Sequence, residues 1–179
     1  YICPGHGLVL DHTNIEKFVN LYREWCQPTK REKQSIVIPY VTAYGYTEEI
    51  AKEIKRGIEA SNFDVDILMY NLVTADMNEV LNEINQCSGL LLGSPTLLSD
   101  TLPQIWTILL NPVIHKGLPA SCFGSYGWSG EALKNINERY KQLKFNVVCE
   151  PLGIVFRPSE ENLKSAYDFG LEFANKVLK

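Results

Sequence analysis

The chain has 179 residues, 45% of them hydrophobic, with a net charge of −4 and a pI near 5.4. That length suits one well-cored domain plus an appendage, and an acidic balance without a basic stripe argues against nucleic-acid binding. Cys3, Cys26, Cys87, Cys122 and Cys149 are odd in number, scattered and without a Cys-x-x-Cys. They argue against a disulfide framework or zinc ribbon and point to a reducing, cytoplasmic setting. No apolar run approaches the roughly 20 residues of a bilayer span. The opening Tyr1-Ile2-Cys3-Pro4 reads as the interior of a longer protein.

Residues 1–34 differ in character from the rest of the chain. Cys3-Pro4-Gly5-His6-Gly7 makes a tight turn, and Ile15, Phe18, Val19, Tyr22 and Trp25 recur at helical spacing over 14–25, with Asn14 as the cap. Residues 27–34, with Pro28 and the basic Lys30, Arg31 and Lys33, read as a linker, which places a domain boundary near residue 34.

From Ser35 onward strand and helix patterns alternate. Strands are expected over 36–41, 64–70, 89–93, 120–124 and 147–155, the last interrupted around Pro151 and Gly153. Helices are expected over 47–61, 77–85, 102–114, 130–143 and 159–178, the last capped by Ser159. This alternation predicts an α/β domain over 35–179: a five-stranded parallel sheet with helices on both faces. Ligands of such sheets bind beyond the carboxyl ends of the strands, so loops 42–47, 94–101 and 125–130 should converge.

The first loop reads Thr42-Ala43-Tyr44-Gly45-Tyr46-Thr47 and enters a helix with Thr47 as the expected N-cap. Free helix amides and two threonine hydroxyls suit a phosphate, and no Lys or Arg lies between Ile36 and Glu49. A capped helix start alone accounts for this loop equally well. Neither a Gly-x-x-x-x-Gly-Lys-Ser/Thr nor a Gly-x-Gly-x-x-Gly is present, which argues against a nucleotide triphosphatase and a dinucleotide fold.

The second loop, Ser94-Pro95-Thr96-Leu97-Leu98-Ser99-Asp100-Thr101-Leu102-Pro103, is stiffened by prolines and mixes hydroxyls with apolar side chains. Its second half also reads as a helix entry capped by Asp100 or Thr101, with Pro103 in the first turn. The third, Ser125-Tyr126-Gly127-Trp128-Ser129-Gly130, combines glycines that admit close backbone approach with aromatic surfaces for stacking. Trp128 alone reads more readily as a core or interface anchor. Together the three loops suit flavin mononucleotide (FMN), with the phosphate at the first and the ring between the other two.

The Thr42–Thr47 segment resembles the flavodoxin phosphate loop, usually Thr/Ser-x-Thr-Gly-x-Thr; Tyr46 replaces a residue that is often polar. Gly93-Ser94-Pro95-Thr96 and Phe123-Gly124-Ser125-Tyr126-Gly127-Trp128-Ser129-Gly130-Glu131-Ala132 resemble the FMN domain of flavodiiron proteins. That family joins a metallo-β-lactamase-like di-iron domain to a flavodoxin domain and reduces oxygen or nitric oxide; the resemblance implies the doubly wound flavodoxin-like sheet, order 2-1-3-4-5, for residues 35–179. The resemblance implies an FMN-dependent oxidoreductase component that relays electrons from a reductase or rubredoxin-like donor to a di-iron centre. It also implies a homodimer or larger assembly of the intact protein, and no turnover by this domain alone. It assigns phosphate contacts to residues 42–47 and ring or ribityl contacts to Ser94, Pro95, Thr96, Leu97 and residues 125–130.

Pro4-Gly5-His6-Gly7 resembles the Pro-Ser-His-Gly near the end of the di-iron domain, with His6 at the final histidine ligand and Gly5 departing from serine. The His-x-Glu-x-Asp-His cluster is missing from this sequence, and His12 and His115 form no site with His6, so no metal is expected here. A free-standing flavodoxin-type carrier and a flavin-less interaction module of the same fold are the alternatives.

Overall fold

A computed structural model describes residues 1–25, 31–111 and 116–178, with elements α1 (Ile15–Trp25), β1 (Ser35–Tyr40), α2 (Tyr46–Glu59), β2 (Asp66–Asn71), α3 (Met77–Ile84), β3 (Gly89–Gly93), α4 (Pro103–Leu109), β4 (Pro119–Tyr126), α5 (Glu131–Gln142), β5 (Asn146–Val147), β6 (Leu152–Val155) and α6 (Glu160–Val177). Cys26, much of the expected linker, the end of the expected 102–114 helix and His115 lie outside the described residues. The chain forms two compact units, Tyr1–Lys30 and Arg31–Lys179.

In the first unit Ile2 and Leu10 exchange backbone hydrogen bonds of 2.8 and 2.9 Å, closing the turn that carries His6. The expected cap, Asn14, directly precedes α1. Asp11 accepts from the Thr13 amide at 2.9 Å, while the Asn14 side chain reaches back to the Asp11 amide at 2.9 Å. Asn14 thus supplies the returning half of a reciprocal pair. Helix α1 buries none of its own residues. Its Phe18, Tyr22 and Trp25 line a recess with Ile2, Leu8 and Leu10.

The second unit carries a sheet of order β2-β1-β3-β4-β5, with β6 also on β4 and every pairing parallel. The expected fifth strand is two pieces: β5 pairs with the start of β4, and β6 with Phe123–Tyr126 at its end. Between them the Cys149 carbonyl accepts from the Ser121 hydroxyl at 2.9 Å, so the break stays bonded to the neighbouring strand. Helix α4 ends at Leu109, ahead of Pro112, earlier than the expected 114; proline cannot continue a helix.

Strands β1 and β3 are buried throughout because helices cover both faces. On one face Val37, Leu90, Leu92 and Cys122 pack with Val80, Ile108, Ile136 and Tyr140. On the other Ile36, Ile38, Leu91 and Phe123 meet Ile50, Ile54 and Ile58 of α2 and Phe173 of α6. Each fully buried isoleucine of α2 contributes about 1.5–3 kcal/mol. Helix α6 starts at the expected Ser159, in a capping box with Asn162.

Two glycines bring α2 and α6 into backbone contact. A Cβ at Gly57 would lie 1.9 Å from the Tyr167 carbonyl oxygen, and one at Gly170 would lie 2.1 Å from that of Ile54. Neither obstacle is a flexible side chain, so the helices themselves must part. Gly170→Ala is therefore expected to destabilise the second unit by about 1–3 kcal/mol, read as a lowered urea midpoint; an unchanged midpoint would contradict this packing.

Candidate functional site

In this strand order β2 and β3 lie on opposite sides of β1, so the winding reverses after β1, and sheets of this kind bind ligands beyond the carboxyl ends of the strands at that point. The first loop borders it. Helix α2 begins at Tyr46, with Gly45 (φ 84°) as N-cap and no side chain capping it. This corrects the expectation that Thr47 caps the helix. The positive φ suits glycine, and the amides of Tyr46, Thr47 and Glu48 have no acceptor within the helix. Thr47 instead sits at the second helical position, 1% exposed, with its Oγ1 3.3 Å from the Ser125 hydroxyl.

Thr42 behaves differently. Its Oγ1 is buried with no hydrogen-bond partner, an arrangement that costs about 1–3 kcal/mol unless a ligand completes it. Ala43 and Tyr44 are exposed, and the Tyr44 and Tyr46 rings lie 6.2 Å apart.

The second loop is bound tightly to β4. The Ser94 amide donates to the Phe123 carbonyl at 3.0 Å and the Thr96 amide to the Ser125 carbonyl at 3.1 Å. Ser94 and Pro95 are buried. The Ser94 hydroxyl donates to the Pro95 carbonyl at 2.8 Å and accepts from the Leu102 amide at 3.3 Å, so it is engaged in shaping the loop. The Thr96 Oγ1 accepts from the Ala132 amide at 3.4 Å, a cap for α5 supplied from another loop, since Gly130 has no side chain to give. Leu97 is exposed. Neither Asp100 nor Thr101 is the N-cap of α4; that position is Leu102, with Pro103 next.

Asp100 joins the loop to two helices. Its carboxylate accepts from the Asn135 amide at 2.8 Å, the Thr101 backbone at 2.7 Å and the Trp106 indole at 3.1 Å. Partial burial pushes this carboxyl up, but the three donors outweigh it and hold it below the ordinary carboxylate range.

In the third loop Trp128 is 91% exposed, which corrects the core-anchor reading; its ring lies T-shaped to that of Phe156, with centroids 6.3 Å apart. Tyr126 is half-buried, Gly127 admits the Phe156 ring, and Gly130 (φ 68°) turns the chain into α5. The Ser129 hydroxyl donates to the Glu131 carboxylate. Phe156, 56% exposed, was not singled out from sequence. It follows β6, and its amide donates to the Tyr126 carbonyl at 2.8 Å, so a fourth loop joins the same edge. The available signal was its place directly after the interrupted last strand.

The flavodoxin family profile matches residues 38–170. The chain belongs to the flavodoxin family. It is also 35% identical over 99% of its length to the flavo-diiron protein FprA2 of Clostridium acetobutylicum, and spans only 45% of that protein. The flavodiiron core of Flv1 from Synechocystis superposes with a TM-score of 0.75 at 27% identity, over 92% of this chain and 41% of that one. A flavodoxin from the domain Archaea superposes with a TM-score of 0.68 at 27% identity, over 82% of this chain and all of its own. Among the described residues of this flavodoxin-family chain, no helix is long and apolar enough to cross a membrane.

The junction of the loops depends on Gly124, where a Cβ would lie 1.8 Å from the Ser94 carbonyl oxygen. Gly124→Ala is expected to push the second loop off β4 and cost about 1–3 kcal/mol. Backbone amide exchange checks it: the Ser94 and Thr96 amides should lose protection before those of β1.

Proposed function

We propose that this chain binds FMN at the carboxyl edge of its sheet and serves as the electron-relay domain of a flavodiiron-type oxidoreductase. The observation that carries the reading is the unpartnered Thr42 hydroxyl beside the uncapped first turn of α2. A phosphate supplies the acceptors that those groups lack. The phosphate-binding residues are Thr42, the Ala43, Tyr44 and Gly45 backbone, and the amides of Tyr46 and Thr47. The Thr47 hydroxyl, shared with Ser125, orients the loop. No cation takes part: amide dipoles hold the charge.

Pro95, Thr96 and Leu97 border the ring on one side, and residues 125–130 on the other. FMN supplies one- and two-electron redox chemistry when bound. The chain's own residues bind and orient it, exclude water from the crevice and leave one apolar margin open. Exposed Tyr44, Trp128 and Phe156 form that margin, where a redox partner can approach. Electrons enter from a flavin reductase or rubredoxin-like donor and leave for a di-iron centre that reduces oxygen or nitric oxide. The domain does not turn over alone, and the intact protein works as a homodimer or larger assembly in the cytoplasm. Residues 1–34 are the end of the di-iron domain plus a linker. The absence of a buried face on α1 supports this, because such a helix needs a core from elsewhere.

The alternative reading is a free-standing carrier, which the likeness to a flavo-diiron protein over 99% of this chain does not favour. Adding the separately produced di-iron partner discriminates: oxidation of the reduced flavin by that partner supports the relay and its absence the carrier.

Titration of apo-protein with FMN tests the site. Wild type is expected to quench flavin fluorescence with one-to-one stoichiometry. Thr42→Val should raise Kd about tenfold, while leaving the apo-protein as stable as wild type or slightly more so, since it removes an unsatisfied hydroxyl. Trp128→Ala should weaken binding by about 1–3 kcal/mol, the usual worth of stacking on a planar base. Unchanged affinity in both variants would refute the assignment.

A further inference from the structure

The turn between Leu97 and Asp100 adopts a conformation that its residues disfavour. Leu98 (φ 51°) and Ser99 (φ 60°) are consecutive left-handed residues, where a two-residue turn of this hand ordinarily carries Asn or Gly. Leu97 and Asp100 close it with reciprocal backbone hydrogen bonds, each 3.0 Å. The Leu98 side chain is fully exposed, so its own packing does not hold the turn. Such conformations persist only where surrounding structure over-determines them.

The restraint sits at the base of the turn and comes from two other elements. Trp106 of α4 and Asn135 of α5 both donate to the Asp100 carboxylate, and Asn135 also reaches the Ser99 carbonyl at 3.3 Å. Since Leu102 is the N-cap of α4, the carboxylate is not engaged in starting that helix. Immediately before the turn, Thr96 is fastened to the Ser125 carbonyl and the α5 amide.

We infer that Asp100 is a positioning residue: with Asn135 and Trp106 it locks Leu98 and Ser99 in the left-handed form and so sets Thr96 and Leu97 in place for the flavin. The inference rests on the FMN reading of the site. It makes the shape of the ring side of the site depend on a carboxylate that need not touch the cofactor. Its chemical signature is compensation by glycine, which takes positive φ without a restraint.

The experiment compares wild type, Asp100→Ala, and Asp100→Ala combined with Leu98→Gly and Ser99→Gly, by FMN Kd and by the visible circular dichroism of the bound flavin. Asp100→Ala should raise Kd about tenfold and alter the visible spectrum with the far-ultraviolet spectrum unchanged. The two glycines should restore both Kd and spectrum toward wild type, an outcome that loss of a merely stabilising contact does not produce. Wild-type Kd and spectrum in Asp100→Ala, or no recovery with glycine, would overturn the inference while leaving the FMN site standing. Should Asp100→Ala fail to fold, Asn135→Ala carries the same comparison. If wild type takes up no FMN, the functional reading and the flavin role of the turn fall together. The locking step itself is then judged by hydrogen exchange of the Leu97 and Asp100 amides, which must be protected in wild type and unprotected in the variant.

Discussion

Ser125, buried at the end of β4, is the point on which the site is assembled. Its carbonyl receives the Thr96 amide and its hydroxyl meets that of Thr47. One residue thus ties the loop after β3 and the first turn of α2 to the same strand. The approach is close because Gly124 next to it has no side chain to hold Ser94 away. A parallel sheet brings its loops to one edge by topology alone; the hydrogen bonds at Ser125 make that edge a fixed surface.

The site combines two kinds of incomplete chemistry. At the first loop the incompleteness is polar: uncapped amides at α2 and the Thr42 hydroxyl lack acceptors. At the third and fourth loops it is apolar, with Trp128 and Phe156 left largely in water. A ligand with an anionic end and a planar ring resolves both at once. On the proposed reading, amides rather than a lysine would neutralise the anion, which places no mobile positive charge beside the ring.

The two compact units differ in how they hold together. The second is layered, with apolar side chains on both faces of β1, β3 and β4. The first consists of a bridged turn and a helix whose apolar stripe finds no buried place. About thirty residues cannot enclose a core of their own. The half-buried Cys87 and the buried Cys149 are also chemically quiet: desolvation pushes the Cys87 thiol up to about 12 and that of Cys149 up to about 11. The chain's proposed chemistry therefore rests on its loops rather than on its cysteines.

Much of the architecture was already determined by local pattern. The apolar runs at 36–41 and 89–93, the 3.6-residue spacing of Ile50, Ile54 and Ile58, and the Ser159 cap are each read within a few residues of sequence. So were the three loops, because Gly45, Pro95 and Gly127 punctuate the chain where strands give way to helices. Only the tertiary structure decided that Thr47 turns inward to Ser125, 78 positions away, that the Thr96 hydroxyl caps α5, and that Phe156 joins Trp128. The same holds for the handedness at Leu98 and Ser99, which neither residue prefers. Periodicity specifies which way a side chain faces, since that follows from backbone repeat; it carries no information about the distant donor or acceptor waiting there, which the packing of strands and helices supplies.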